Sequence, residues 1–163
     1  MKILICSDSH GRRDLLAALT KMHPDADKLW FLGDGLRDLC AVSEQNSALS
    51  VTAVRGNNDW ADFDTPYTSL CAAQAVRALL CHGHTFHVKS GLSPLLEAGA
   101  AAGADLVLYG HTHRQALERF SSDEIPALKK PLILLNPGAL CERQFAIVEI
   151  LPDGKLYINP TSF

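Results

Sequence analysis

The chain has 163 residues, room for one domain, and 47% of them are apolar against 20% charged; this is globular composition and excludes disorder, collagen-like repeats and a coiled coil. Fifteen Lys and Arg against 18 Asp and Glu leave a net charge of −3 with no basic run, so neither broad nucleic-acid binding nor an anionic membrane surface is expected. The five cysteines (Cys6, Cys40, Cys71, Cys81 and Cys141) are odd in number and never fall as CxxC, which points to reduced thiols and a cytoplasmic location.

In chain order, Ile3–Cys6 is a short apolar run, too short for the apolar stretch of a signal peptide and suited to a strand covered on both faces. Leu15, Leu16, Leu19 and Met22 then form a helical stripe closed by Pro24. Leu29–Leu32 reads as a second strand, and Leu36, Leu39, Cys40 and Ser43 as a weaker helical stripe. Val51–Val54 is a third buried strand, followed by Tyr67–Gln74 and Val76–Cys81. Leu92–Ala102 is a third helix stopped by Gly103; its Gly99 and Gly103 match GxxxG, but Glu97 and Asp105 bracket them, so no membrane span is expected. Leu106–Tyr109 ends the strand–helix alternation, which argues an α/β domain with a largely parallel sheet. Beyond Gly110, Ala116–Phe120, Leu132–Leu135, Phe145–Leu151 and Lys155–Ile158 are short strands separated by turn residues. Ser121–Pro131 is a polar loop and Pro152-Asp153-Gly154 a hairpin turn. With Tyr67–Gln74, these strands suggest a second, more antiparallel sheet facing the first.

The chemistry sits just past each buried run. Asp8-Ser9-His10, Gly33-Asp34, Gly56-Asn57-Asn58-Asp59, His82-Gly83-His84 and Gly110-His111-Thr112-His113 all come directly after apolar strands, where open α/β sheets place their sites. Taken singly, Asp8 could cap a helix, Asp34 could serve a turn, and each histidine could sit in a core or on a surface. Taken together, Asp8, His10, Asp34, Asn57, His82, His111 and His113 form an oxygen and nitrogen set without thiolate. Such a set suits Mn²⁺, Fe, Zn²⁺ or Mg²⁺ and is too large for one zinc. Two ions sharing a carboxylate would fit it. His23 and His87 fall outside the pattern, and Cys81 reads as a core thiol.

The ordered motifs DxH, GD, GNxD, HGH and GHTH resemble those of the calcineurin-like metallophosphoesterases, in particular their small bacterial and archaeal phosphodiesterase branch. The resemblance runs from Asp8 to about Gly138 and implies a four-layer α/β/β/α sandwich of two mixed sheets flanked by helices. It implies two divalent ions, Mn²⁺ first, with Fe, Zn²⁺, Ni²⁺ or Mg²⁺ as alternatives. Asp8, His10 and His113 would hold one ion, Asn57, His82 and His111 the other, with Asp34 bridging. Asn136-Pro137-Gly138 resembles the family's NPG turn, with Ala139 where Ser is common. Asn58 stands where larger members carry a histidine thought to assist the leaving group, and an amide cannot be a general acid near neutral pH. His84 is the candidate substitute, set against simple packing behind His82. Trp60, Asp62 and Phe63 could contact substrate, although a packed loop is the preferred reading.

The function expected is hydrolysis of a small phosphodiester by a metal-bridging hydroxide at a binuclear site. The alternatives are a phosphomonoesterase acting on a small phosphorylated metabolite and a non-catalytic protein-interaction scaffold of the same fold. The full complement of ligand-type residues disfavours the scaffold. The expected partner is a small phosphate ester, and self-association into a homo-oligomer is left open.

Overall fold

The computed structural model describes residues 1–43, 49–123, 125 and 128–163, with residues 40–43 described by backbone alone. Ten strands form two five-stranded sheets. The first has the order β10-β9-β1-β2-β3 and comprises β1 (Lys2–Cys6), β2 (Lys28–Phe31), β3 (Ser50–Ala53), β9 (Gln144–Ile150) and β10 (Leu156–Ser162). The second has the order β4-β5-β6-β8-β7: β4 (Thr68–Ala73), β5 (Val76–Cys81), β6 (Leu106–Leu108), β7 (Gln115–Phe120) and β8 (Leu132–Pro137).

The alternation of side chains along β1 explains the layering. Ile3 and Ile5 point into the core between the sheets, with Trp30 and Leu32 beside them and Leu80, Leu106, Leu108 and Leu135 facing them from the second sheet. Leu4 and Cys6 point the other way, beneath α1 (Arg13–Met22) and α2 (Leu36–Ser43), where Leu15, Leu16, Leu19, Leu36 and Leu39 cover them. On the far side, Leu95 of α3 (Ser93–Ala101) packs with Leu79, Val107 and Leu134. Strands covered on both faces have no polar face to show, which is why they read as unbroken apolar runs. The result is the α/β/β/α sandwich implied by the motifs.

Both sheets are mixed, and here the division expected from the strand rhythm is corrected. Pairings β1–β2 and β2–β3 are parallel, but so are β5–β6 and β6–β8, so parallel pairing is shared between the sheets. The β9–β10 hairpin belongs to the first sheet, with β9 antiparallel to β1 in the register Lys2↔Glu149 to Ile5↔Ala146. Its turn forms at Pro152-Asp153-Gly154, where the Gly154 N–H donates to Leu151 O at 2.9 Å. Strand β10 runs through Pro160, beyond the expected end at Ile158. It lies at the sheet edge, where a missing N–H breaks no ladder.

In α1 the expected stripe is realised except at Met22, which is 55% exposed, while Thr20 is buried instead. Of the α2 stripe, Leu36 and Leu39 are buried; the side chains of Cys40 and Ser43 lie outside the description, as do residues 124, 126 and 127 of the expected Ser121–Pro131 loop. Among the described residues, no helix is long and apolar enough to cross a membrane.

Candidate metal centre

The turns after β1, β2, β5 and β6 converge at one end of the sandwich. Asp8, His10, Asp34, His111 and His113 all have positive φ, between 44° and 68°, a conformation that ordinary side chains avoid at roughly 1–3 kcal/mol each and that clusters at functional sites. Backbone hydrogen bonds lock the turns to one another: Asp8 N–H donates to Gly33 O at 2.9 Å, His10 N–H to Asp34 O at 3.2 Å, and Gly110 N–H to His82 O at 3.0 Å.

Three buried polar side chains then brace these turns. The Asp59 carboxylate accepts the N–H groups of Asp34, Gly35, Leu36 and Gly56 at 2.7–2.9 Å. It thereby ties the turn after β3 to the turn after β2 and satisfies donors at the start of α2. Asp38, on α2, accepts from Ser9 Oγ at 2.7 Å and Gly11 N–H at 2.8 Å, fixing the loop that carries Asp8 and His10. Asn136 Nδ2 donates to Gly110 O and to Thr112 Oγ1, each at 3.0 Å, and its Oδ1 accepts from Gly138 N–H at 2.9 Å. The histidine turn is thus held by the end of β8. Asp59 and Asn136 stand within motifs of the sequence and Asp38 in none, and nothing in the sequence signalled their bracing roles.

Within this frame the expected ligands meet. Asp8, His10 and His113 each place an oxygen or nitrogen within 4.8 Å of the others, and so do Asp8, Asp34 and His82. From Asp8 Oδ1, the Nε2 atoms of His113, His10 and His82 lie at 3.2, 3.6 and 3.8 Å. Asp8 is common to both groups, whereas the resemblance gave the shared role to Asp34. Asp34 nonetheless reaches both sides, with Oδ2 3.4 Å from His82 Nε2 and 3.9 Å from His10 Nε2. Asn57 Oδ1 lies 3.2 Å from His82 Nε2, and the His111 ring centroid is 5.1 Å from that of His82. The His111 imidazole stands outside both groups, while its backbone N–H donates to Asp8 Oδ2 at 3.1 Å. Asn58 donates to Asp34 twice, from N–H to Oδ1 at 2.7 Å and from Nδ2 to Oδ2 at 2.6 Å. His84 packs 5.3 Å from the His82 ring with Tyr67 at its edge, and the buried Nδ1 of His84 has no hydrogen-bond partner among the described residues.

The electrostatics follow from this crowding. Burial pushes the Asp34 carboxyl up, but hydrogen bonding and charge from His82, with the Asn58 donors, outweigh it and hold the group well below the usual carboxylate range. Burial lowers the His82 pKa, yet the hydrogen bond to Asp34 and the charges of Asp8 and Asp34 raise it overall. His111 is held at about 4 by burial and then by its neighbours His82 and Lys89. His84 is likewise lowered, by burial first and by His82 second. The Cys81 thiol is pushed up to about 12 by burial, consistent with a core role.

Residues 1–151 match the calcineurin-like phosphoesterase superfamily domain. The chain belongs to that superfamily. It is 29% identical over 142 residues to a protein of Bacillus subtilis (strain 168) named "Probable metallophosphoesterase YsnB", covering 86% of this chain and 75% of that one. Solved structures that share its fold include the following two. A protein described as a novel archaeal phosphodiesterase superposes with a TM-score of 0.71 at 20% identity, covering 99% of this chain and all (100%) of the other. Vps29 from Chaetomium thermophilum superposes with a TM-score of 0.72 at 15% identity, covering 100% and 95%.

Calcineurin-like phosphoesterases are metal-dependent, and the residues present fit a metal. Asp8 Oδ1 is buried with no hydrogen-bond partner among the described residues, although it is ringed by imidazole nitrogens. A bare carboxylate oxygen so placed is costly unless a cation completes it. Glycines let the backbone pack directly against the carboxylates: a Cβ at Gly56 would run into Asp34 Oδ1, and one at Gly110 into Ser7 Oγ and Asp8 Oδ2.

Beside this cluster opens a cavity of about 680 Å³, lined by His10, Asp34 and Asn58 together with Trp60, Phe63 and Arg37. The packed-loop reading of Trp60 and Phe63 is corrected here, since the two are 74% and 81% exposed. The loop turns back on itself through Asp62 rather than folding its rings inward: Asp62 Oδ1 accepts Thr65 N–H at 2.8 Å.

Proposed function

We propose that the protein is a metal-dependent phosphodiesterase acting on a small phosphodiester at a centre of two divalent ions, Mn²⁺ first among the candidates. The observation that carries this reading is the unpartnered, buried Oδ1 of Asp8 among three imidazoles. Asp8, His10 and His113 would hold one ion, and Asn57, His82 and His111 the other, with Asp34 and Asp8 between the two. Divalent ions so placed supply positive charge for a phosphate ester and acidify water. The protein's own part is to fix the donors in advance through Asp59, Asp38 and Asn136, so little reorganisation accompanies binding.

Asn58 positions rather than protonates, because its side-chain NH₂ is engaged by Asp34. His84, with its pKa lowered, is neutral at pH 7 and offers a hydrogen bond but no readily released proton. Preference for a diester over a monoester is supported by the cavity wall, where Arg37 is the single cation among the described lining residues; a dianion would call for more. Four described cysteines, Cys6, Cys71, Cys81 and Cys141, are free thiols, in keeping with a cytoplasmic site of action.

The test is a panel of aryl and alkyl phosphodiesters and the matching monoesters, assayed with Mn²⁺ and after chelation. Metal-dependent turnover led by diesters is expected. No hydrolysis of any ester by the metal-loaded protein would refute the proposal, and a monoester preference would overturn its diester part.

A further inference from the structure

We infer that the cavity beside the metal centre is a subsite for a planar aromatic group, carried as one arm of a singly charged phosphodiester and received on Trp60 and Phe63; the inference rests on the phosphodiesterase reading and names its substrate class. Continuity places the subsite. One cavity is lined both by His10, Asp34 and Asn58 of the cluster and by the two rings, so an ester arm of a phosphate at the cluster shares its space with them. Its volume, about 680 Å³, falls within the range of small-molecule sites.

Large rings exposed to 74% and 81% are costly and mark surfaces that bind. The Phe63 ring is also held in place. The Arg55 guanidinium lies 5.1 Å from the centroid of Phe63 and 5.2 Å from that of Tyr67, and Arg55 Nε donates to Asp59 O at 3.2 Å. Asp62 N–H donates to the same Asp59 carbonyl at 3.1 Å. A braced wall loses little freedom when a flat group stacks on it.

Charge narrows the ligand further. Asp62 and Asp64 border the rings, and Arg37 is the single cation among the described lining residues. The rim therefore disfavours negative charge beyond the one carried by the phosphate and repels a polyanion. The shared ligand chemistry is a phosphodiester bearing an aryl group or a nucleobase.

Trp30 is 1% exposed and Trp60 74%, so quenching of the exposed fluorophore reports on Trp60. With the Mn²⁺-loaded protein, diphenyl phosphate, dimethyl phosphate and the methyl ester of adenosine 5′-monophosphate are titrated by fluorescence and calorimetry. The aromatic esters should quench Trp60 and bind roughly tenfold more tightly than dimethyl phosphate. The tighter of the two aromatic ligands separates a simple aryl group from a nucleobase. By calorimetry, Trp60→Ala and Phe63→Ala should each weaken aromatic binding roughly 2- to 10-fold, and Trp60→Phe should retain most of it.

Equal affinity for methyl and aromatic esters, absence of quenching, or full aromatic affinity in Trp60→Ala overturns the subsite. A hydrolysis arm separates this from the parent reading, comparing phenyl and methyl diesters that share a p-nitrophenyl leaving group. Turnover of both without aromatic preference or quenching refutes the subsite and leaves the phosphodiesterase standing. Quenching and selective binding with no turnover of either supports the subsite and refutes the phosphodiesterase.

Discussion

Burying a carboxylate whose Oδ1 has only imidazoles for company destabilises the metal-free protein, and Asp8 is such a group. Asp8→Asn removes the charge while keeping the shape, so the metal-free variant should melt higher than wild type. For a relief of about 1 kcal/mol the gain would be roughly 2–4 °C in a chain of this size. The same variant should lose the stabilisation wild type gains from Mn²⁺. Calorimetric scans with and without metal check both parts, and a lower metal-free Tm for the variant would contradict the first.

Proton competition is read at His82. His111, held at about 4, is already neutral near pH 7. A proton that must leave before metal enters is the one Asp34 and Asp8 favour on His82, whose pKa is raised. In the metal-free protein the signs are opposite for the two partners. The His82 contribution to stability is present at low pH and lost as pH rises through its folded pKa, whereas the Asp34 contribution is lost as pH falls through its depressed one. Metal affinity should hence increase with pH through the His82 titration, with proton release visible in buffers of different ionisation enthalpy. An affinity that is flat between pH 6 and pH 8, with no proton release, would count against His82 as a ligand.

With Asn58 engaged by Asp34 and the His84 pKa lowered, leaving groups in the proposed reaction would depart without a good acid. Rates should fall steeply as leaving-group pKa rises, and His84→Ala should leave that slope unchanged; a working acid at His84 would be worth about 10²–10⁴-fold on poor leaving groups. A slope that steepens in His84→Ala would restore the histidine as an acid.

The bracing of one element by another supplies a different kind of prediction. Asp59→Ala strands four backbone donors at the turns after β2 and β3, and Asn136→Ala releases the turn carrying His111 and His113. Neither residue is among the proposed ligands, yet each substitution should weaken metal binding about 10–100-fold, as loss of supporting partners typically does. Binding isotherms for Mn²⁺ decide this, and unaltered affinity in both variants would show that the turns hold themselves.

These braces were not legible in the sequence, and the reason is physical. A ligand type standing after an apolar strand announces chemistry by its residue class alone. A buried Asp that accepts four N–H groups looks the same in a sequence as one on a loop, because its partners are backbone atoms common to every residue. The partition of strands into sheets failed for a related reason. Alternation and β-branching show that Gln144–Ile150 is a strand, but the choice of β1 as its neighbour is set by which bare edge remains when the chain folds back. Strands with both faces covered were legible at β1, β2, β5 and β6, as was the site's position at the strand ends, but Val51–Val54, read as buried, falls largely in the edge strand β3, which is only partly covered. The exposure of Trp60 and Phe63 was not, since apolar residues after a turn ordinarily pack.

At the scale of the whole molecule, the proposed ligands come from both sheets: Asp8 and Asp34 follow β1 and β2, while His82 and His111 follow β5 and β6. Ions held there would join the two layers, beyond the apolar core between them. Loading with Mn²⁺ should raise Tm, by an amount equivalent to about 2.7 kcal/mol when free metal is 100 times its Kd. Chelation should reverse it and should quicken hydrogen exchange in strand ends of both sheets together. Protection lost from one sheet only would place the ion within that sheet.

The position of β1 has a consequence for the making of the protein. The strand lies inside its sheet between β2 and β9, and the amino group of Met1 donates to Ile150 O at 2.9 Å, across 149 residues. On a ribosome, then, β1 emerges well ahead of β9 and keeps one apolar edge unpaired until residues 144–150 have followed it. Such an edge is the surface on which nascent chains stick to one another. Translation rate and chaperone capacity, more than equilibrium stability, should therefore govern how much of this protein a cell recovers in native form. Slowing the ribosome between codons 60 and 140 should lower the yield of folded chain without altering the Tm of what survives.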